Sequence, residues 1–446
     1  MDIIGLVPSF GGMAWTIIAF IVAILVIVAV HEYGHYIVGR WSGIHAEVFS
    51  IGFGPVIWSR IDKRGTRWQL AALPFGGYVR FLGDSSAASG KDGALISQLS
   101  PEERRHTMHG APLWARAATV AAGPAFNFIF AILVFAGFFL AYGVATDRPV
   151  VGALKPMPEA TQSLQPGDLI LAVDGQATPD LETYVAVGEK LPHQASFDYR
   201  IERAGVETTL TGPHPFPPIA DAVQPRSAAM EAGIKVGDVV TTVDGTPVVA
   251  FQQLRDMVGE SGGKTLHLQI WRDGTTIEAD LTPRRADLPL EAGGFETRWL
   301  IGLSGGGGMF TPEIRTPGPW ETLTLAVDRV WYIVKVSLAS IWSMITGAIS
   351  SCNMAGPIGM AEAMGDAARG GLEMFVQTLA MFSLGIGLMN LFPIPVLDGG
   401  HLVFHVWEAV TGKPPSDGAM RILMTTGLVL LLLLMVFAVT NDLFCP

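Results

Sequence analysis

The sequence predicts a polytopic α-helical membrane protein with four transmembrane helices and a β-rich middle that repeats itself. Three observations carry this. Half of the 446 residues are hydrophobic and only 15% are charged, against about 25% in a soluble domain, and the mean hydropathy is +0.40. The apolar residues gather into long uncharged runs, each near the ~20 residues a span requires. Between the second and third runs, Asp147 to Gly318 has no spanning run and reads as two copies of one unit. Length alone is consistent with roughly three domains at about 150 residues each.

The balance of 29 basic and 40 acidic residues, net -11, lacks the basic footprint of a nucleic-acid binder. Two cysteines, Cys352 and Cys445, are too few for a disulfide framework or a cysteine-rich metal module and read as incidental thiols.

The first run, Ile3 to Val30, begins after Met1-Asp2 rather than after a basic region, so a retained helix over 1–40 is expected rather than a cleaved signal peptide. The others are Ala117–Val144 (helix over 112–145), Phe375–Leu397 (within 373–410) and Ile422–Thr440 (420–441). Val336–Met360 is also uncharged, yet it is rich in Ser and Gly and follows Asp328, Arg329 and Lys335 set among apolar residues. That pattern predicts, for 319–372, a helix along the membrane surface followed by a Gly-rich loop. Arg40 to Arg116 holds ten Lys and Arg, which places it in the cytoplasm, with both termini and Asp147–Gly318 outside.

In the middle, Leu164-Gln-Pro-Gly-Asp-Leu-Ile-Leu-Ala-Val-Asp-Gly175 reads against Ile234-Lys-Val-Gly-Asp-Val-Val-Thr-Thr-Val-Asp-Gly245. Each is a turn, a strand and an Asp-Gly hairpin turn. Two units follow, 146–212 and 213–290, with a linker over 291–318. The second adds Ser227-Ala-Ala-Met-Glu-Ala-Gly233, where the first reads Pro158-Glu-Ala-Thr-Gln-Ser. At these residues the chain resembles PDZ domains of the bacterial protease type, the second copy more closely. That resemblance implies a strand edge that can take an extended peptide or a peptide C-terminus; the alternative is a pair of spacers without a ligand.

The chemistry gathers at His31-Glu32-Tyr33-Gly34-His35. Positions i and i+4 share a helix face, so both imidazoles can bind one zinc ion, with Glu32 placed to take a proton from its bound water. Ionisable groups within a membrane helix are costly without partners. A third protein ligand is needed, and Asp398 in Asn390-Leu-Phe-Pro-Ile-Pro-Val-Leu-Asp-Gly-Gly400 can supply it. Pro393 and Pro395 break that helix, and broken backbone at membrane depth is tolerated only when buried or lining a cavity. The two ligand sets meet in one leaflet only if nothing crosses between Gly318 and Phe375, which selects four spans. His401 and His405 form a rival i, i+4 pair; His401 can alternatively support Asp398.

Together, His31-Glu-Tyr-Gly-His35 and Asn390-x-x-Pro-x-Pro-x-Leu-Asp-Gly399 resemble the site-2 protease family of intramembrane zinc proteases. Gly123-Pro-Ala-Phe-Asn127 and Gly356-Pro-Ile-Gly359 match the same pattern. The resemblance implies that His31, His35 and Asp398 hold Zn2+, that Glu32 is the general base, and that Asn390, Pro393 and Pro395 contact substrate. It implies a membrane-associated β-hairpin over Gly43–Phe81, within a cytoplasmic segment 41–111, and a bacterial inner-membrane location. It further implies single-span membrane protein substrates, among them anti-sigma factors already trimmed at a first site and leftover signal peptides. Two other classes compete: a non-catalytic PDZ scaffold, which needs none of the four site residues, and a zinc transporter, which needs polar residues in several spans.

Overall fold

The computed structural model describes residues 6–84, 93–158, 163–224, 227–289 and 295–444. Pro158-Glu-Ala-Thr-Gln-Ser falls largely outside them, as do Met1-Asp2 and Cys445. The chain forms two compact units. One comprises Met1–Gly137, Leu323–Leu338 and Met354–Cys445; the other holds Phe138–Thr322 and Ala339–Asn353.

Helix α1 (Leu6–Trp41) carries the first apolar run and its polar end in one piece. It leads into β1 (Ala46–Ile61) and β2 (Arg67–Phe81), the hairpin expected over Gly43–Phe81. Each strand is bent, so the pair behaves as four short strands. Segment 48–51 is flanked by 67–70 on one side and by 77–80 on the other, while 56–61 pairs with 67–71. Two short helices, α2 (Gly93–Gln98) and α3 (Pro101–Arg104), precede α4 (Leu113–Tyr142). Tyr36, Phe49, Val79, Phe81, Ala115 and Val120 share one buried cluster, which fixes the hairpin against the ends of α1 and α4.

The second unit holds two stretches of similar element order. After β3 (Val144–Ala145) and β4 (Val151–Leu154), the first copy runs β5 (Leu169–Val173), β6 (Gln176–Ala177), α5 (Leu181–Gly188), β7 (Phe197–Arg203) and β8 (Val206–Gly212). After β9 (Ala222–Val223) and α6 (Ala228–Glu231), the second runs β10 (Val239–Val243), β11 (Thr246–Pro247), α7 (Phe251–Glu260), β12 (Leu266–Arg272) and β13 (Thr275–Leu281). The sheets have matching orders, β6-β5-β7-β8 and β11-β10-β12-β13, and each closes on its own core. The Asp-Gly turns form as read: Asp174 and Asp244 take φ of 47° and 49°, the left-handed pair a tight hairpin demands. Each copy also locks its entry turn with a buried aspartate. Asp168 is gripped through both oxygens by Arg203 and Asp238 by Arg272, at 2.6–2.7 Å.

The segment 291–318 is not a linker. After β14 (Arg284–Pro289), it contains β15 (Phe295–Leu300), β16 (Leu303–Ser304), β17 (Phe310–Pro312) and β18 (Ile314–Arg315). β16 pairs with β9, β17 with β4 and β18 with β3. These strands return to pair with strands up to 171 residues earlier, as Arg315 does with Val144, a pairing no local pattern announces.

Helix α8 (Pro319–Ile345) is the amphipathic segment and is not one of the four helices that, among the described residues, are long and apolar enough to span: Gly12–Trp41, Leu113–Tyr142, Leu372–Asn390 and Gly418–Phe444. One expectation is corrected beyond it. The Gly-rich stretch contains a further helix, α9 (Pro357–Arg369), which packs on α1 so closely that a Cβ on Gly365 would meet Thr16 Oγ1. Within 373–410 the helix is broken at the prolines, as their positions predict. It ends as α10 (Leu372–Asn390) and restarts as α11 (Asp398–Thr411), because Pro393 and Pro395 lack the N–H groups a continuous helix would use. Helix α12 (Asp417–Phe444) closes the chain. Asp442 near its end accepts hydrogen bonds from the Gly356 and Ile358 N–H groups at the start of α9. Cys352 is disulfide-bonded, not an incidental thiol.

Candidate metal centre

His31 and His35 lie one turn apart on α1, and their Nε2 atoms approach to 3.2 Å. Across from them is Asp398, the first residue of α11. The restarted helix presents its positive end there, which favours a carboxylate. Asp398 Oδ2 is 3.1 Å from His31 Nε2 and 3.5 Å from His35 Nε2. The three donors lie within 4.8 Å of one another, and no other such group is found among the described residues.

These spacings fit a metal. Tetrahedral zinc with nitrogen ligands at 2.0–2.1 Å sets its donors about 3.3 Å apart, and the observed separations bracket that value. Asp398 Oδ2 is buried without a hydrogen-bond partner, an arrangement that is costly unless a cation satisfies it. Room is made by Gly123 of α4, where a Cβ would lie 2.3 Å from His35 Nε2 and 2.9 Å from His31 Cε1. Two imidazoles and one carboxylate are a zinc donor set that leaves a fourth position open.

The outer contacts orient the rings. His35 Nδ1 is 2.8 Å from the Thr119 carbonyl, so its proton lies on Nδ1 and Nε2 is free to coordinate. His31 Nδ1 is 3.3 Å from the amide of Asn127, a fully buried residue of α4. In the sequence, Asn127 closes the Gly123-Pro-Ala-Phe-Asn127 motif and is one of the few polar residues of its span. Glu32 faces the hairpin. The Val79 backbone hydrogen-bonds its carboxylate, and a Cβ on Gly77 would come within 3.0 Å of its Cγ. The edge of 77–81 away from β1 carries no strand among the described pairings.

Other expected residues fall out as follows. Asn390 is the last residue of α10 and half-buried; Pro393 is exposed; Pro395 packs against α12, near Gly427. His401 and His405 are not in the donor cluster. The His401 ring lies edge-on to Phe404, with 6.0 Å between the ring centroids. Glu408 of the same helix forms a two-pronged pair with Arg116 of α4. On the Tyr33 side of α1 lies an almost wholly apolar cavity of about 450 Å3, bounded by Val30, Phe49, Trp68, Phe126 and Leu133.

Comparison with known proteins gives the family. The profile of peptidase family M50 matches residues 19–434. The regulator of sigma-E protease RseP of Escherichia coli K12 is 34% identical over 460 residues, covering 96% of this chain and 98% of that one. The protein of the same name from Salmonella typhimurium is 35% identical over 463 residues, with the same coverage. A family match across nearly the whole chain, joined to an intact two-histidine, one-carboxylate cluster among apolar helices, means that the chain belongs to peptidase family M50 and is a membrane-embedded zinc metalloprotease of the site-2 type.

Proposed function

We propose that His31, His35 and Asp398 hold the zinc and that Glu32 is the general base for cleavage of a peptide bond within a substrate's transmembrane segment. The observation that carries this is the convergence of three donors from two separate segments to within 3.1–3.5 Å. When bound, zinc lowers the pKa of water toward about 7 and polarises a carbonyl. The protein's own groups do the rest. Glu32 takes the proton from the attacking water and returns it to the leaving amine. The Thr119 carbonyl and Asn127 hold the imidazoles in register. The surrounding apolar residues keep bulk water from the reacting bond.

A helical substrate protects its own peptide bonds and must unwind to be cut. The unpaired edge of 77–81, beside Glu32, is suited to hold it extended by strand addition. The apolar cavity next to Tyr33 suits its side chains. Asn390 and the Pro393/Pro395 break are assigned to contact the substrate near the metal.

The substrates are single-span proteins of the bacterial inner membrane, by analogy with relatives named for regulating sigma-E: a trimmed anti-sigma factor, and leftover signal peptides. The two β-rich repeats are assigned as PDZ-like domains on the outer side, which exclude bulky ectodomains or take a new C-terminus. Their matching sheet orders support this. Deleting 147–318 then relaxes the requirement for prior trimming; untrimmed substrate that stays uncut would discard the filter.

The deciding experiment is cleavage of a reconstituted single-span substrate by the native chain and by Glu32→Gln. The variant should lose roughly 10²–10⁴-fold in rate while still binding one zinc. Full biological function in Glu32→Gln would favour a non-catalytic scaffold.

A further inference from the structure

Asp398 stands at the head of a helix that is cut loose from the one before it. The backbone is non-helical from 391 to 397, so the direction of α11 is not inherited from α10. Its apolar packing is also slight. The fully buried residues of α11 are Gly399 and Gly400, while Val403, Val406, Trp407 and Val410 are 48–81% exposed. When lipid surrounds such a face, burying it gains little, because the tails are as apolar as the side chains. Close packing and polar contacts then decide how the helix lies.

A strong polar contact is present at the other end. Residues 398, 401, 405 and 408 recur at helical spacing and form one stripe, with Asp398 at its head and Glu408 at its foot, about 15 Å apart along the axis. Arg116 of α4 donates to Glu408 through Nη2 to Oε1 at 2.6 Å and through Nη1 to Oε2 at 3.0 Å. Its Nε donates to the Ala111 carbonyl at 3.1 Å, so the fork is itself tied down at the start of α4. The two side chains are only 16% and 18% exposed, unlike the surface ion pairs that contribute little. A planar two-pronged pair fixes direction as well as distance. Between head and foot, Leu402 packs against the cluster that holds Ala115 and Val120 of α4.

We propose that Arg116 and Glu408 are positioning residues for the metal: their pair sets the roll and tilt of α11, so that Asp398 comes within 3.1–3.5 Å of the two imidazoles. Neither touches the reacting atoms. Helix α4 then serves as a common template for all three donors. Thr119 holds His35, Asn127 faces His31, and Arg116, one turn before Thr119, holds the helix that carries Asp398. The inference rests on the assignment of Asp398 as a zinc ligand and adds what keeps it in reach.

The test uses the full-length protein in detergent, with Glu408→Gln, Arg116→Gln, the double variant, and Asp398→Asn as the reference for a lost ligand. Zinc affinity is read by chelator competition, and Co2+ in place of zinc reports the ligand set through its visible absorption. Each single variant of the pair should bind zinc roughly 10–100-fold more weakly, the range for groups that orient a metal ligand without touching the metal. Its Co2+ bands should move toward those of Asp398→Asn. Because the two residues act as one device, the double variant should lose no more than either single. Native zinc affinity in Glu408→Gln overturns the proposal, as does a double variant whose losses add. So does a lowered thermal midpoint of the metal-free protein with an unchanged Co2+ spectrum, which is what a merely structural pair would give. Should Arg116→Gln not fold, the affinity and spectrum of Glu408→Gln decide alone. A native Co2+ spectrum in Asp398→Asn discards the ligand assignment instead, and is told apart because Arg116 and Glu408 are intact in that variant.

Discussion

Gly123 stands directly behind His35: a Cβ at this position would lie 2.3 Å from the His35 Nε2 and 2.4 Å from its Cε1. At this position helix α4 therefore meets the zinc-site face of α1 with no side chain between them. Alanine is favoured over glycine inside a helix by about 1 kcal/mol, so Gly123→Ala should not weaken α4 itself. It should displace the His35 ring and reduce bound zinc well below one per chain, as read by metal analysis, with the thermal midpoint of the zinc-free protein little changed. A variant that retains full zinc would mean the ring moves aside without losing coordination.

Asn127 makes a separate test of how the rings are held. Its Oδ1 is buried without a partner while its amide faces His31 Nδ1. Turning the amide over satisfies both, with Oδ1 accepting the Nδ1 proton and Nε2 left for the metal. Asn127→Leu should weaken zinc affinity by roughly 10–100-fold in chelator competition, whereas Asn127→Asp, which keeps the acceptor, should largely preserve it. Equal loss in both variants would point to packing instead.

Acid should loosen the first repeat through His214, which follows β8 and packs on Phe197 of that repeat. Burial pushes the His214 imidazole down to about 4, with the nearby His193 charge acting the same way. Its Nδ1 accepts the Phe216 N–H and its ring sits edge-on to Phe197. The folded state keeps His214 neutral while the unfolded chain protonates it near 6.5, so the stability it lends is complete above about pH 6.5 and is lost as pH falls toward 4. His214→Asn, which retains an acceptor for Phe216, should flatten the thermal midpoint of this repeat across that interval. An unchanged slope would remove His214 as the cause.

The paired aspartates offer a prediction for both repeats. Burial alone would raise the Asp168 carboxyl, but hydrogen bonds from Arg203 and the Gln165 N–H hold it below the ordinary carboxylate range. Its contribution therefore persists above about pH 4 and fades only in stronger acid. Removing the cation leaves a buried, unpaired charge, which costs about 3–5 kcal/mol. Arg203→Ala and Arg272→Ala should each destabilise their own repeat by such an amount in denaturant titration, leaving zinc content untouched. Losses under 1 kcal/mol would show that solvent already compensates these carboxylates.

Much of this molecule is local in origin and was legible in the chain. Four runs such as Trp15–Val30 must enter lipid because uncharged stretches of that length have no other stable place. His31 and His35 share a face because a helix repeats every 3.6 residues, and Asp174-Gly175 turns because that pair tolerates left-handed backbone. What the tertiary structure alone decided is non-local. That β16, β17 and β18 return to β9, β4 and β3, that Pro357–Arg369 coils against α1, that Cys352 is bonded, and that Gly123, Asn127 and Thr119 frame the imidazoles all depend on which distant surfaces pack together. A sequence displays periodicity and residue chemistry along one dimension. The distance between Asp398 and His31 is set by helix packing and by a proline break, and only three-dimensional packing turns a separation of 367 positions into 3.1 Å.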